Sequence, residues 1–200
     1  MLRQEKGLII KLDMENAFDR VSHPYLMAVL QKLGFSREIV KVIQACISIP
    51  RITPLINGRP SDFFQTTRGL RQGCPLSPFL YIIMAETLRR ALENQRKERN
   101  ITRIRIEKGV KTINHSFFAD ETLLLGVVST IITRRFKKVL DDFLQVSGGL
   151  SNNTKSRIYG WNTPPRTMQR ISQILDILVQ EKWTHFFYLG LPISKENMKT

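Results

Sequence analysis

Hydrophobic positions in this chain change period several times, and each change marks an element. Residues 7–12, Gly-Leu-Ile-Ile-Lys-Leu, are a nearly continuous apolar run of strand length, which predicts a buried strand. Asp13 closes the run, and residues 13–19 read as a tight connection. Ser22-His23-Pro24 starts a helix with Pro24 at its first position; Leu26, Met27, Leu30 and Leu33 recur at helical spacing, and Gly34 stops it. Ser36 caps a second helix whose inner face carries Ile39, Val40, Ile43 and Ile47. Residues 50–64 read as a hairpin around Asn57-Gly58, the strongest short turn signal in the chain.

A loop rich in glycine, proline and arginine follows over residues 68–78 and leads into a long helix, residues 78–96, apolar early and charged late. Residues 101–106 alternate like a strand before Gly109 turns the chain. Two apolar runs, 112–118 and 122–128, flank a polar pair, Asp120-Glu121, that reads as the turn of a hairpin. Residues 129–146 form an amphipathic helix with Ile132, Phe136, Val139, Leu140, Phe143 and Leu144 inward, ended by Ser147-Gly148-Gly149. A short strand (155–161), a third amphipathic helix (164–179) and a last strand (186–189) complete the pattern. Helices alternating with hairpins predict an α+β fold, with a mostly antiparallel sheet and helices packed on one face. No repeat, low-complexity tract or linker divides the chain, so one domain over residues 1–200 is the expectation.

Charge changes the picture. The formal net charge is +14, which points to a polyanionic partner, nucleic acid or an anionic membrane surface. The membrane is the weaker reading. No apolar run approaches the ~18–20 residues of a spanning helix, and the charged start of the chain does not fit a signal peptide. A merely solvated basic surface ranks below polyanion binding at this magnitude. Cys46 and Cys74 have no paired spacing and read as reduced core thiols of an intracellular protein. His23, His115 and His185 lack metal-ligand spacing and read as structural or surface residues.

Adjacent carboxylates at a hairpin turn repel each other and resist desolvation, so a divalent cation is the simplest partner for Asp120 and Glu121. Asp13, at another strand end, is a third candidate ligand. Alone it reads as a helix N-cap; with the hairpin pair and the charge it reads as a metal ligand. Two ions ~3.5–4 Å apart suit phosphoryl and nucleotidyl transfer, which needs charge neutralisation and in-line positioning.

Asp13-x4-Phe18-Asp19, the run Arg68-Gly-Leu-Arg-Gln-Gly-Cys-Pro-Leu-Ser-Pro, and Phe118-Ala119-Asp120-Glu121, in that order, resemble the palm motifs of reverse transcriptases. Their wording is similar to that of non-LTR (LINE-type) retrotransposon enzymes, notably those of plants, over nearly the whole chain. The resemblance implies a polymerase palm-like fold and RNA-directed DNA polymerase activity, with two Mg2+ ions (Mn2+ a possible substitute), an RNA template, a DNA primer and deoxynucleoside triphosphates. It implies metal ligation by Asp13, Asp120 and Glu121, the last in a place usually held by Asp, which sets its carboxylate at a shifted position. Phe18 matches the bulky residue that blocks a ribonucleotide 2′-hydroxyl; on residues alone it is an ordinary core aromatic. Asp19 reads as structural, bonding nearby backbone or Arg20. Gln72 and Gly73 match the loop that packs on the incoming nucleotide and template, with Arg71 and Arg68 reaching phosphates; glycine permits close approach, and glutamine offers both donor and acceptor. Ser147-Gly148 and Asn152-x2-Lys155-Ser156 resemble the next motif, in which Lys155 approaches the pyrophosphate leaving group as general acid; a solvated surface lysine is the equal alternative. Leu189 and Gly190 lie in a turn similar to the one that grips the primer end.

The resemblance also implies a palm-centred piece of a longer retrotransposon polyprotein, without fingers, thumb or endonuclease, and a nuclear location. A non-catalytic nucleic-acid-binding scaffold, or a maturase-like RNA-binding protein on the same fold, is the alternative.

Overall fold

The computed structural model describes residues 6–48, 51–101 and 113–194, with only the backbone of Arg51 and Ile52. They group into two compact units. One comprises Met1–Glu15, Leu88–Asp142 and Ser151–Thr200; the other comprises Asn16–Thr87 and Phe143–Leu150.

The first unit is organised on β1 (Gly7–Asp13), a central strand of a four-stranded antiparallel sheet. The sheet order is β6 (His115–Phe118), β7 (Glu121–Val127), β1, β8 (Arg157–Trp161). Leu8, Ile9, Ile10 and Leu12 are each at most 2% exposed, because β1 is flanked by strands on both edges and covered on both faces. In register, Leu8 pairs with Gly126 on one side and Gly160 on the other. A Cβ on Gly126 would stand 3.0 Å from the Phe136 ring, and one on Gly160 would stand 2.6 Å from Met168. These two glycines let α4 (Thr130–Ser147) and α5 (Pro165–Leu175) approach the same face of the sheet. The opposite face carries Ile9, Leu123, Leu125 and Tyr159, packed with Trp183, Phe186 and Tyr188 around the hairpin of β9 (His185–Tyr188) and β10 (Leu191–Ser194). Tyr159 stacks on Phe186 at 4.2 Å. The α+β architecture with antiparallel pairing and helices on one face agrees with the sequence pattern.

The second unit holds α1 (His23–Lys32), α2 (Arg37–Ser48) and the short strands β2 (Arg51–Ile52), β3 (Leu55–Ile56), β4 (Arg59–Pro60) and β5 (Phe64–Gln65). The Ser22 hydroxyl accepts from Tyr25 N–H at 3.4 Å, capping α1. Asn57 and Gly58 both have positive φ, 51° and 76°, as a two-residue hairpin turn between β3 and β4 requires. The long helix α3 (Ser77–Lys97) buries Leu80, Met84, Leu88 and Leu92, one residue per turn.

Several expectations change. α5 stops at Leu175, because Asp176 turns left-handed at φ 57°; Val179 instead bridges to Ile158. The last strand has a partner, β10, that the short proline-containing run Leu191-Pro192-Ile193 concealed. Of the expected inner face of α2 only Val40 is buried, and Ile39 is 49% exposed. Leu33 is also at the surface. Cys46 is exposed and Cys74 half-buried, so neither is a core thiol. The turn between β6 and β7 is Ala119-Asp120, one residue earlier than expected; Glu121 is the first residue of β7, and Asp120 is exposed. Apart from Ile101, the strand expected at 101–106 lies outside the described residues, as do Gly109, Thr112, Pro50 and the first five residues. No described helix is long and apolar enough to cross a membrane.

Candidate active site

In the first unit, Asp13 ends β1 directly opposite Glu121 in the β1–β7 register. The neighbouring turn brings Asp120 in: its backbone carbonyl accepts the N–H of Met14 at 2.9 Å. Ala119 holds φ 48°, a left-handed conformation costing a non-glycine residue on the order of 1 kcal/mol, which β6–β7 pairing must offset. The result is three carboxylates at one end of the sheet. Asp13's carboxyl is raised above the usual aspartate range, mainly by burial; Lys155 opposes the shift, Asp120 and Glu121 add to it, and Lys11 opposes it. Asp13 does not cap α1, since Ser22 does.

Lys155 is placed by a turn locked to the same strand end. Asp13 N–H donates to Ser156 Oγ at 3.1 Å, and Asn152 N–H donates to the Asp13 carbonyl at 2.8 Å. The Asn152 side-chain oxygen accepts from Thr154 Oγ1 at 2.6 Å and Lys155 N–H at 3.2 Å, an Asx turn. Ser156, fully buried, donates to the Asn152 carbonyl at 2.8 Å. Lys155 thereby stands exposed with its cation acting on Asp13.

Glu121 is engaged elsewhere. Its Oε1 lies 2.7 Å from Lys11 Nζ, which also donates to the Phe187 carbonyl at 2.9 Å. Leu189 and Gly190 form the β9–β10 turn with φ of 53° and 75°, and Leu189 N–H reaches Glu121 Oε2 at 3.5 Å. Sequence reasoning missed Lys11. The available signal was a lysine interrupting a buried run, on the same side of the strand as Asp13 by the two-residue period.

Among the described residues no group of three or more His, Cys, Asp or Glu side chains forms a ready metal cage. Asp13 and Asp120 nevertheless fit a hard divalent cation, which takes one or two carboxylates and keeps water and substrate phosphates as its other ligands. Burial is the first cause of the raised proton affinity of Asp13, with Asp120 and Glu121 adding to it; a bound cation would neutralise the charge of these carboxylates.

The remaining candidates lie in the second unit. Phe18, half-buried, stacks on Tyr81 with ring centroids 4.8 Å apart. Its carbonyl accepts Leu70 N–H at 2.8 Å, which anchors the 68–76 loop through the buried Leu70. Gly69 has φ +91°, and a Cβ there would stand 2.7 Å from the Asp19 carbonyl; its own carbonyl bonds His23 Nε2 at 2.7 Å. Gln72 Nε2 donates to Asp19 Oδ1 at 3.5 Å. Arg68, Arg71, Gln72 and Gly73 are exposed along a cleft of about 890 Å³, which Ile47 and Phe64 also line. Gly73, at φ +82°, has open space on its Cβ side.

A family model described as reverse transcriptase (RNA-dependent DNA polymerase) matches residues 1–193. Similar proteins include an uncharacterized mitochondrial protein of Arabidopsis thaliana, 40% identical over 68 residues, which are 34% of this chain and 56% of that protein. Another is the retrovirus-related Pol polyprotein of the R2 retrotransposable element of Popillia japonica, 29% identical over 127 residues, 62% of this chain and 20% of the polyprotein. The corresponding R2 polyprotein of Drosophila melanogaster is 28% identical over 158 residues, 79% of this chain and 14% of its own. Among solved structures, telomerase of Candida albicans in complex with a telomeric RNA fragment matches with a TM-score of 0.64 at 16% identity, over 96% of this chain and 30% of that one. At that identity the likeness speaks for the fold. The chain thus spans a minor part of the polyproteins and of the telomerase, and about half of the mitochondrial protein.

Proposed function

The chain belongs to the reverse transcriptase (RNA-dependent DNA polymerase) family, and from that premise we propose that it is the palm-centred polymerase portion of a non-LTR retrotransposon enzyme, adding deoxynucleotides to a primer 3′-hydroxyl on an RNA template. The observation that carries the reading is the convergence of Asp13 and Asp120 at one strand end, with Asp13's carboxyl raised by burial and by neighbouring negative charge. Asp13 and Asp120 would hold the divalent ions, Mg2+ with Mn2+ as substitute. When bound, these ions supply activation of the attacking hydroxyl and neutralisation of the leaving phosphates.

The chain's own residues do the rest. Lys155 stands as proton donor to the pyrophosphate leaving group. Phe18, backed by Tyr81, excludes the 2′-hydroxyl of a ribonucleotide. Gln72 and Gly73 pack against the nascent base pair, with Arg68 and Arg71 on phosphates. Leu189 and Gly190 contact the primer end. Nuclear activity within a longer polyprotein is part of the same reading.

Metal-dependent extension of a DNA primer annealed to RNA tests it: extension that needs Mg2+ and is lost in Asp13→Asn supports the reading. A second reading, a non-catalytic nucleic-acid-binding scaffold, is favoured by one observation, the pairing of Glu121 with Lys11 at 2.7 Å. Tight RNA binding without any extension would select it.

A further inference from the structure

Lys11 is an unusual occupant of β1. Its neighbours on the same face, Ile9 and the cross-strand Leu123, are buried in the aromatic cluster. An ammonium group beside such a cluster is costly unless it is paired. Lys11 Nζ is paired twice: with Glu121 Oε1 at 2.7 Å and with the Phe187 carbonyl at 2.9 Å. The first bond crosses β1–β7; the second reaches the β9–β10 hairpin. Glu121 Oε2 then faces Leu189 N–H at the tip of that hairpin, at 3.5 Å. Lys11 and Glu121 therefore form a polar link between the carboxylate end of the sheet and the turn Leu189-Gly190, beside the Ser116 Oγ–Tyr188 Oη hydrogen bond at 3.0 Å.

We propose that Lys11 and Glu121 act as a positioning pair that fixes the 185–194 hairpin against the sheet, so that its tip presents a primer end to Asp13 and Asp120. The primer part of this statement rests on the polymerase reading above; the strut itself does not. Glu121 then acts through the hairpin and not as a metal ligand. The side-chain length matters. Aspartate at this position would withdraw the carboxylate by one carbon–carbon bond, about 1.5 Å, and carry it out of hydrogen-bond range of Lys11.

The test is amide hydrogen exchange of peptide 185–194 in the full chain, without metal or nucleic acid, with the α5 peptide as internal reference. In Glu121→Asp, Glu121→Gln and Lys11→Met the hairpin should exchange about two- to fivefold faster while α5 is unchanged. The Lys11→Met/Glu121→Gln double variant should be little faster than the faster single one, and Lys11→Arg should keep wild-type exchange. In primer extension, Glu121→Asp should raise the KM for primer several-fold with little change in kcat. Hairpin exchange in Glu121→Asp equal to wild type overturns the proposal, and so does equal acceleration of hairpin and α5. A wild-type chain that never extends a primer counts against the polymerase reading alone, because the exchange result stands without it.

Discussion

The carbonyl of Asp120 accepts the backbone N–H of Met14 at 2.9 Å, so the turn that carries Asp120 is fastened to the residue that follows Asp13. Two acids that lie far apart in the chain are held together by main-chain geometry that does not depend on their charge. A cation is not needed to bring them together; it would relieve repulsion that the fold has already imposed.

Burial of Asp13, together with that repulsion, has a consequence for stability. Asp13's folded-state carboxyl titrates above the ordinary value of 3.8, through burial first, against Lys155, and then through Asp120 and Glu121. A raised carboxyl binds its proton more tightly when folded. The penalty is therefore absent below the ordinary value and complete once pH has risen past the folded one. Asp13→Asn should raise the melting temperature of the metal-free chain at neutral pH, with the difference vanishing near pH 3. The group is largely solvent-screened, so the gain is at most about 1 kcal/mol. Thermal melts across pH check it; a variant that melts lower at neutral pH contradicts it.

Phe18 separates two roles. Its stacking on Tyr81 contributes about 0.5–1.5 kcal/mol. If Phe18 also excludes the 2′-hydroxyl, Phe18→Ala should raise ribonucleotide incorporation relative to deoxynucleotide while melting only slightly lower. The incorporation ratio measured beside the melting temperature decides. An unchanged ratio with a large fall in melting temperature leaves it as a packing residue.

Gly126 and Gly160 make a contrast in packing. A Cβ on Gly126 would press on the ring of Phe136, which is fully buried and has nowhere to go. A Cβ on Gly160 would stand closer, at 2.6 Å, but to the flexible end of Met168. Gly126→Ala should cost about 1–3 kcal/mol and Gly160→Ala less, despite the shorter distance. Chemical denaturation measures both; the reverse order would show that the helix layer is not set by these contacts.

The charge of +14 predicts RNA binding whose log affinity falls linearly with log salt, with a slope of about −0.7 to −0.9 per phosphate neutralised. Filter binding at several salt concentrations tests it; salt-independent affinity would sink it.

What the sequence disclosed follows from the range of each signal. The apolar run ending in Asp13 announced β1 because burial on both faces leaves no polar alternation. Asn57-Gly58 announced its turn because few residues tolerate positive φ there. α5 was read too long because Ile177 is buried, and periodicity does not see the left-handed Asp176 that ends the helix. The amphipathic α2 showed that it has an apolar face but not what covers it. Asp13, Asp120 and Lys155 were legible as motif residues. Lys11 was not, since its partners Glu121 and Phe187 lie in distant parts of the chain and only the strand register brings them together.

In the polymerase proposal, Asp13 and Asp120 form one divalent-cation site. Mn2+ binding to the full chain, followed by the loss of free-ion paramagnetic resonance signal, tests it most directly. Wild type should bind Mn2+ in competition with Mg2+. Asp13→Asn and Asp120→Asn should each weaken binding at least about tenfold, a 1.4 kcal/mol loss, with the double variant little worse than either. Equal Mn2+ affinity in wild type and Asp13→Asn would contradict it.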